Sequence, residues 1–500
     1  MEPTQTAGEA KSTARVARNG LWSLVANVLP SLAVTAASVV MARRLGPEQF
    51  GVYVLAVFLY SAASQVAVWG LPGTTTRFIA VARAKGRPDD EVAIANVVLR
   101  ASLYGAGAVA LVVAAFAGAR QGPDAQAILL AAGVVLFLAP LMVLVSVLSG
   151  QERFRHIALW QLATGFGNPL LTVLAVLHGA GVIAVLTIDV AATAAGGLVL
   201  YLLVRRRMPL TARGRHDLPP GFWSFAARHA VLVVLGVVVF QRSEVFFLEW
   251  LTDSRQVAMY GIAFGLSQTV WRVAAPLLAA VGPALTRVLS EGPGPDTTSA
   301  VQRAVRFCLL LGFAGSAVGV VVAPAAIEVL YGQEYAAAVG PAQIMLALSW
   351  AVILGTTVSG VASALAEQAI LLWTGASGAV VNVSLNLLLI PVYGAAGAAL
   401  GNAVAQTFVA LALLVWLHRR MPTLDGRSLF LTAIPALAAA SVALPLTALP
   451  ATAGVALTVV LSGGTFLATA RLAGVLDQDI LFLLRRGVHP LRRRAPVSRA

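Results

Sequence analysis

Fourteen stretches of roughly twenty apolar residues follow one another through this chain, the first at 20–41 and the last at 452–473, with short polar segments between them. A helix of about twenty residues spans the hydrocarbon core of a bilayer. In that core a spanning helix satisfies its own backbone N–H and C=O groups. The runs therefore predict an all-α polytopic membrane protein of about fourteen transmembrane helices. Composition agrees: 59% of the 500 residues are hydrophobic and 11% are charged, which leaves too little polar surface for a soluble domain. The longest polar segments lie before Asn19, at Arg205–Pro220 and after Arg485. None is long enough to bury a core, which excludes a large extramembrane catalytic domain. The polar start followed by a long apolar run reads as a first span, without a cleaved signal peptide.

A net charge of +14 raises nucleic acid as a partner, but the charge distribution excludes it. Arg and Lys sit in short clusters between spans rather than on one face. With the N-terminus inside, about 26 of them fall on inner segments, including Arg77, Arg83, Lys85, Arg87, Arg205–Arg207 and Arg419–Arg420. The outer segments carry Arg43, Arg44, Arg120 and Arg255. This bias places both termini in the cytoplasm. The one cysteine, Cys308, lies in an apolar run and reads as a small core residue.

From Ser23 to Pro422 the chain states one pattern twice, a little over two hundred residues apart. Leu45 through Phe50-Gly51-Val52-Tyr53-Val54 returns as Leu251 through Val257-Ala258-Met259-Tyr260-Gly261. Arg77 returns as Arg287, Glu152 as Glu367, and Asn168…His178-Gly179-Ala180 as Asn382…Tyr393-Gly394-Ala395. A series at nearly constant offset is an internal duplication. Six spans per copy keep the orientation, so two parallel six-helix lobes are expected about a pseudo-twofold axis along the membrane normal, with a site between them. The expected division is a cytoplasmic segment at 1–19, a first lobe at 20–204, a basic loop at 205–221, a second lobe at 222–417, two extra helices within 418–473, and a basic tail at 474–500.

The stretch Arg44-Leu45-Gly46-Pro47-Glu48-Gln49-Phe50-Gly51-Val52-Tyr53 resembles the first-loop signature of Wzx-type polysaccharide flippases, exporters of lipid-linked oligosaccharides such as O-antigen units. Tyr331-Gly332-Gln333-Glu334-Tyr335-Ala336 is similar to the second half of that family. So are Asn382-Val383-Ser384-Leu385-Asn386 and Ile390-Pro391-Val392-Tyr393-Gly394-Ala395-Ala396-Gly397. The likeness covers about residues 15–470. It implies the fold of the multidrug/oligosaccharidyl-lipid/polysaccharide exporters, with two lobes around a central cavity, in a bacterial cytoplasmic membrane. It also implies polysaccharide polymerase and chain-length machinery as partners.

A charged side chain within a span costs at least a few kcal/mol, and marks a functional site by default. Arg242 and Arg272, with Arg43 at the end of the first span, suit a lipid pyrophosphate, because the guanidinium fork matches phosphate oxygens. Gln241, Gln268 and Asn27 are amides available to the same cavity. Arg242 and Arg272 also suit structural pairing between helices, and Arg43 also suits snorkelling to the interface. Asp189 and Glu244 are open to two readings, a coupling ion or an ion pair within a lobe. Arg77 and Arg287, at inner span ends, anchor topology or close a cytoplasmic gate. Asn382 and Asn386 suit sugar hydroxyls or interhelical bonds.

No nucleotide-binding Gly-Lys-Ser/Thr loop, cofactor motif or metal-ligand spacing is present in the sequence. The chain therefore reads as a transporter rather than an enzyme. The leading function is translocation of a polyprenyl-pyrophosphate-linked oligosaccharide by alternating access. The alternatives are a lipid-linked peptidoglycan-precursor flippase and a multidrug cation antiporter of the same fold. A membrane glycosyltransferase lacks the acidic loops it would need.

Overall fold

In the computed structural model the first two predicted spans form one helical element, α1 (Pro3–Ala67), turned at a single residue. Unbent, 65 residues would run about 100 Å, far beyond a bilayer. Gly46 breaks the helix with φ 77° and ψ 170°. Glycine enters this left-handed region without strain. Pro47, with its preset φ and missing N–H, then suits the start of the second limb. The signature at 44–53 is thus helix on both sides of one residue rather than the loop its Gly-Pro suggests.

The same device recurs in α13 (Gln368–Arg420), broken at Gly394 with φ 53°. A Cβ at Gly394 would stand 2.6 Å from Gln256 Oε1, so both space and dihedral angle demand glycine there. Beyond the turn, Gly397 packs on Leu389 and Gly401 on Asn386, the contacts of an antiparallel hairpin.

Between these elements run α2 (Leu71–Ala84), α3 (Pro88–Gly118), α4 (Pro123–Gly150), α5 (Phe154–Leu177), α6 (Val182–Arg205), α7 (Phe222–Phe240), α8 (Glu244–Leu251), α9 (Ser254–Ser290), α10 (Pro295–Leu330), α11 (Val339–Ala347) and α12 (Ser349–Ala364). A 3₁₀ turn, Gln333–Ala338, precedes α11. The structure describes residues 3–118, 122–208, 218–240, 242–290, 294–365, 367–421, 432, 434–442 and 451–472, with backbone alone at 3–29, 123, 238–240, 273–288, 290, 295–296 and 451–456. Among the described residues eight helices are long and apolar enough to cross a membrane, two of them the kinked α1 and α13. Much of the predicted thirteenth span, the basic tail at 474–500 and most of the loop at 205–221 lie outside the described residues. The last predicted span is the helix Ala451–Leu472, which packs through Phe466 and Ala470 on Leu310 of α10.

Two predicted spans are broken where no Gly or Pro announces it. The span expected at 222–248 is two helices, α7 and α8, separated at Arg242, whose φ is +54°. The span expected at 338–364 divides at Leu348 between α11 and α12. Side chains satisfy the second break: Trp350 N donates to Ser316 Oγ at 3.3 Å, and Ser349 Oγ donates to Leu346 O at 2.9 Å.

The duplication is visible in hydrogen bonds as well as in sequence. Gln49 Oε1 accepts from Val182 N at 3.2 Å, and its counterpart Gln256 accepts from Ala395 N at 3.0 Å. Each glutamine caps an otherwise unpaired N–H at the start of a helical limb. Gln256→Ala should lower stability by about 1 kcal/mol, the usual cost of a lost N-terminal cap, as a reduced melting temperature in detergent. Val54 and Gly261, counterparts in the repeat, touch each other, with 2.9 Å between Val54 and the position of a Cβ at Gly261. Such a contact between equivalent residues lies on the pseudo-twofold axis. The architecture is therefore two like lobes in parallel orientation.

Candidate functional site: a cavity between the lobes

A cavity of about 490 Å³ opens between the second limb of α1 and the second lobe. Val57, Phe58, Ser61 and Ala62 line it from α1, and Phe264, Gln268 and Trp271 line it from α9. Val352 and Thr356 of α12, Gln406 of α13 and Arg242 complete the wall. A small adjoining pocket, walled in part by the same Phe264, Gln268, Trp271 and Gln406, reaches Leu348 and Ser349. Both helix breaks thus meet the cavity, as expected where backbone must depart from helix inside a membrane.

Arg242 is half-buried at the break, with its guanidinium carbon 4.5 Å from the centroid of the Phe264 ring. Among the described residues no carboxylate stands within ion-pair distance of it. The ring face gives the cation partial compensation and leaves its N–H donors available to the cavity. Gln268 lies on the same wall. Arg272, one helical turn beyond Gln268, donates from Nη1 to Thr35 Oγ1 at 3.0 Å, bridging the lobes.

Behind the wall, the second lobe holds a buried polar network. Glu244 Oε1 accepts from Asn382 Nδ2 at 2.7 Å and from Asn402 Nδ2 at 2.8 Å, and Oε2 accepts from Tyr260 at 2.7 Å. Asn386 Nδ2 donates to Asn382 Oδ1 at 2.8 Å, and Gln406 Nε2 donates to Asn402 Oδ1. Glu244 is thus paired with neutral groups rather than with an arginine. In the first lobe Asp189 Oδ1 accepts from Asn168 Nδ2 at 2.8 Å, and Oδ2 is buried without a hydrogen-bond partner. Asn168 and Asn382 are counterparts in the repeat, so each lobe sets one buried carboxyl against the same amide. Among the described residues no arginine pairs with Asp189, so the ion pair open to it from the sequence is not formed there.

Other sequence candidates lie elsewhere. Arg43 is exposed and donates from Nε to Leu330 O at 2.7 Å and from Nη2 to Val329 O. It caps the carbonyl end of α10, away from the cavity, an arrangement the helix dipole favours. Arg77 stacks on Phe225 of α7, guanidinium carbon 4.5 Å from the ring centroid. The side chains of Asn27 and Arg287, and Gln241 altogether, lie outside the described residues. Sequence reasoning missed Phe264, Trp271, Asn402 and Gln406. For the amides a signal existed: Asn402 and Gln406 repeat the four-residue spacing of Asn382 and Asn386, which places each pair on one helix face. Among the described residues no three His, Cys, Asp or Glu side chains stand together as metal ligands would.

The lobes meet on both sides of this cavity. Toward the end of the bundle that carries Gly46 and Gly394, a Cβ at Gly51 would lie 1.8 Å from Ser254 O. There too Tyr335 donates to Ala42 O at 2.7 Å. Toward the opposite end, which carries Arg77 and Arg205–Arg207, Gly70 and Gly73 abut Ala230 and His229 of α7. Phe78 packs on Phe222 with ring centroids 5.1 Å apart.

Residues 16–289, more than half of the sequence, match the family described as polysaccharide biosynthesis protein. The chain belongs to this family. No curated protein matches it in sequence. The fold of this polysaccharide biosynthesis family member is similar to that of the lipid II flippase MurJ in an inward closed conformation. That likeness has a TM-score of 0.73 at 11% identity, and covers 92% of this chain and 99% of that one. It is also similar to an inward-facing multidrug resistance MATE family transporter of the MOP superfamily: TM-score 0.64, 16% identity, 81% of this chain and 98% of the other. A MOP superfamily transporter from Pyrococcus furiosus gives a TM-score of 0.54 at 14% identity over 81% of this chain and 95% of that one. The polysaccharide biosynthesis family member is therefore a multi-pass membrane protein with the fold of these transporters.

Proposed function

We propose that this protein is a flippase that carries a polyprenyl-pyrophosphate-linked oligosaccharide from the inner to the outer leaflet of the bacterial cytoplasmic membrane, for surface polysaccharide synthesis. The observation that carries this reading is Arg242. It is a cation held at a helix break on an interlobe cavity lined by aromatic rings and amides, and among the described residues no carboxylate pairs with it. Guanidinium donors match pyrophosphate oxygens. Phe58 and Trp271 offer faces for sugar rings, and Gln268 offers partners for hydroxyls.

Alternating access would proceed by separating the lobes at one end while they meet at the other. The lobes are taken as 20–204 and 222–417, with both termini cytoplasmic as the charge bias of the loops requires. Arg77 on Phe225 then belongs to the cytoplasmic gate. A site with equal affinity in both states drives no net flux, so export is pulled by polymerisation of the delivered units or by an ion gradient.

The likeness to MurJ favours a second reading, a lipid-linked peptidoglycan precursor as cargo. A multidrug cation antiporter is disfavoured, because no acid lines the cavity among its described residues. Lipid extraction and mass spectrometry on the native host with this gene deleted test all three. Accumulation of a polyprenyl-pyrophosphate oligosaccharide, with loss of one surface glycan, is the expected result. An enlarged pool of peptidoglycan precursor would select the second reading. Unchanged lipid pools with new sensitivity to cationic drugs would sink both flippase readings.

A further inference from the structure

A non-glycine residue at φ +54° within a membrane span is strained by about 1–3 kcal/mol, and persists only where its surroundings over-determine it. Arg242 is such a residue, and the two residues after it show what holds it. Ser243 Oγ donates to Asn382 Oδ1 at 3.3 Å. Glu244, fully buried, takes three donors from three separate segments: Asn382 before the Gly394 turn, Asn402 after it, and Tyr260 on α9. The start of α8 is therefore pinned to both limbs of the α13 hairpin and to α9. The same carboxyl orders the cavity wall a second time, because Asn402, held by Glu244, accepts from Gln406.

We infer that Glu244 is a positioning residue. It clamps the α7–α8 break so that Arg242 presents its guanidinium to the cavity, and through Asn402 it fixes Gln406 in the cavity wall. Its role is that of a hydrogen-bond acceptor hub, with no direct contact to cargo. All three of its partners are neutral donors. A glutamine can reproduce this: its carbonyl oxygen accepts from both asparagines, and its NH₂ donates to the Tyr260 oxygen. A leucine cannot, and would leave the buried amide donors of Asn382 and Asn402 unmet. The inference rests on the reading that Arg242 meets the cargo's phosphates, but the geometry it claims can be measured without cargo.

Cys308 is the one cysteine in the chain. In a Cys308→Ala background, Arg242→Cys places a thiol at the break, and its reaction rate with a small water-soluble methanethiosulfonate reports access from the cavity. Adding Glu244→Gln should leave that rate within about twofold, and adding Glu244→Leu should slow it at least tenfold. If the leucine variant does not fold, Asn402→Ala, which removes one clamp donor and frees Gln406, should slow labelling several-fold. Lipid flipping, measured with Arg242 in place, should follow the same order: Glu244→Gln close to the parent, Glu244→Leu at least tenfold lower. Unchanged labelling in the leucine and Asn402 variants would overturn the inference. So would loss of labelling and transport in Glu244→Gln, since the charge itself would then be the requirement. Arg242→Ala, which leaves Glu244 and its partners intact, tests the cargo reading separately.

Discussion

Arg242→Ala should abolish transport while protein level and thermal stability stay at those of the parent. Two charge-assisted hydrogen bonds from a guanidinium to phosphate contribute about 1.5–3 kcal/mol each. On the proposed reading their loss should lower cargo affinity by about two decades or more. Stability should not fall with it, because the half-buried cation has no carboxylate partner among the described residues and its removal orphans none. Arg242→Lys keeps the charge but replaces the planar fork with a single ammonium, and should fall between parent and alanine. Adding Arg272→Ala to Arg242→Ala should leave transport at zero and also cost the interlobe bond to Thr35. Full complementation of a deletion strain by the double variant would sink the pyrophosphate clamp.

Gly51→Val should also stop transport, by a different route. A Cβ at position 51 would lie 1.8 Å from the Ser254 carbonyl oxygen and 2.6 Å from its carbon, and real Cβ atoms do not approach backbone so closely. Backbone on both sides leaves no flexible side chain to give way. The second limb of α1 and the start of α9 must separate by an ångström or more, and they belong to different lobes. Since packed interfaces are bistable rather than continuously deformable, the variant should be held open at the Gly46 end, with each lobe intact. A cysteine at position 264, in the cavity wall, introduced into a Cys308→Ala background, should then react faster with an impermeant thiol reagent in Gly51→Val than in the parent. Equal reactivity with normal transport would show that closure at this end does not need the contact.

Much of this architecture was legible in the sequence, because a bilayer enforces simple rules. Span length, charge bias and a repeat at nearly constant offset left one class of fold. Arg242 and Gln268 stood out because polar atoms in apolar runs demand an explanation. The same signal misled at Arg43, whose donors are taken up by the last carbonyls of α10; a sequence does not show which carbonyls end nearby. The breaks at Arg242 and Leu348 were silent for a related reason. Neither carries Gly or Pro, and both persist through distant partners, Asn382 and Asn402 in one case and Ser316 in the other. Both acids stood out, but the sequence did not show that amides bond them, because an amide partner leaves no mark in charge patterning.

The single-residue turns at Gly46 and Gly394 have a mechanical consequence. A hairpin joined by a long loop has slack, and its two helices can slide past each other along their lengths. Here the joint is one residue, and at Gly394 it is further fastened by Gln256. Neither limb can shift lengthwise without carrying the other, so each hairpin behaves as a stiff fork. The cavity wall includes one tine of each, residues 57–62 of α1 and Gln406 of α13. A push on this wall should therefore turn whole forks and carry movement from the middle of the membrane toward its surface.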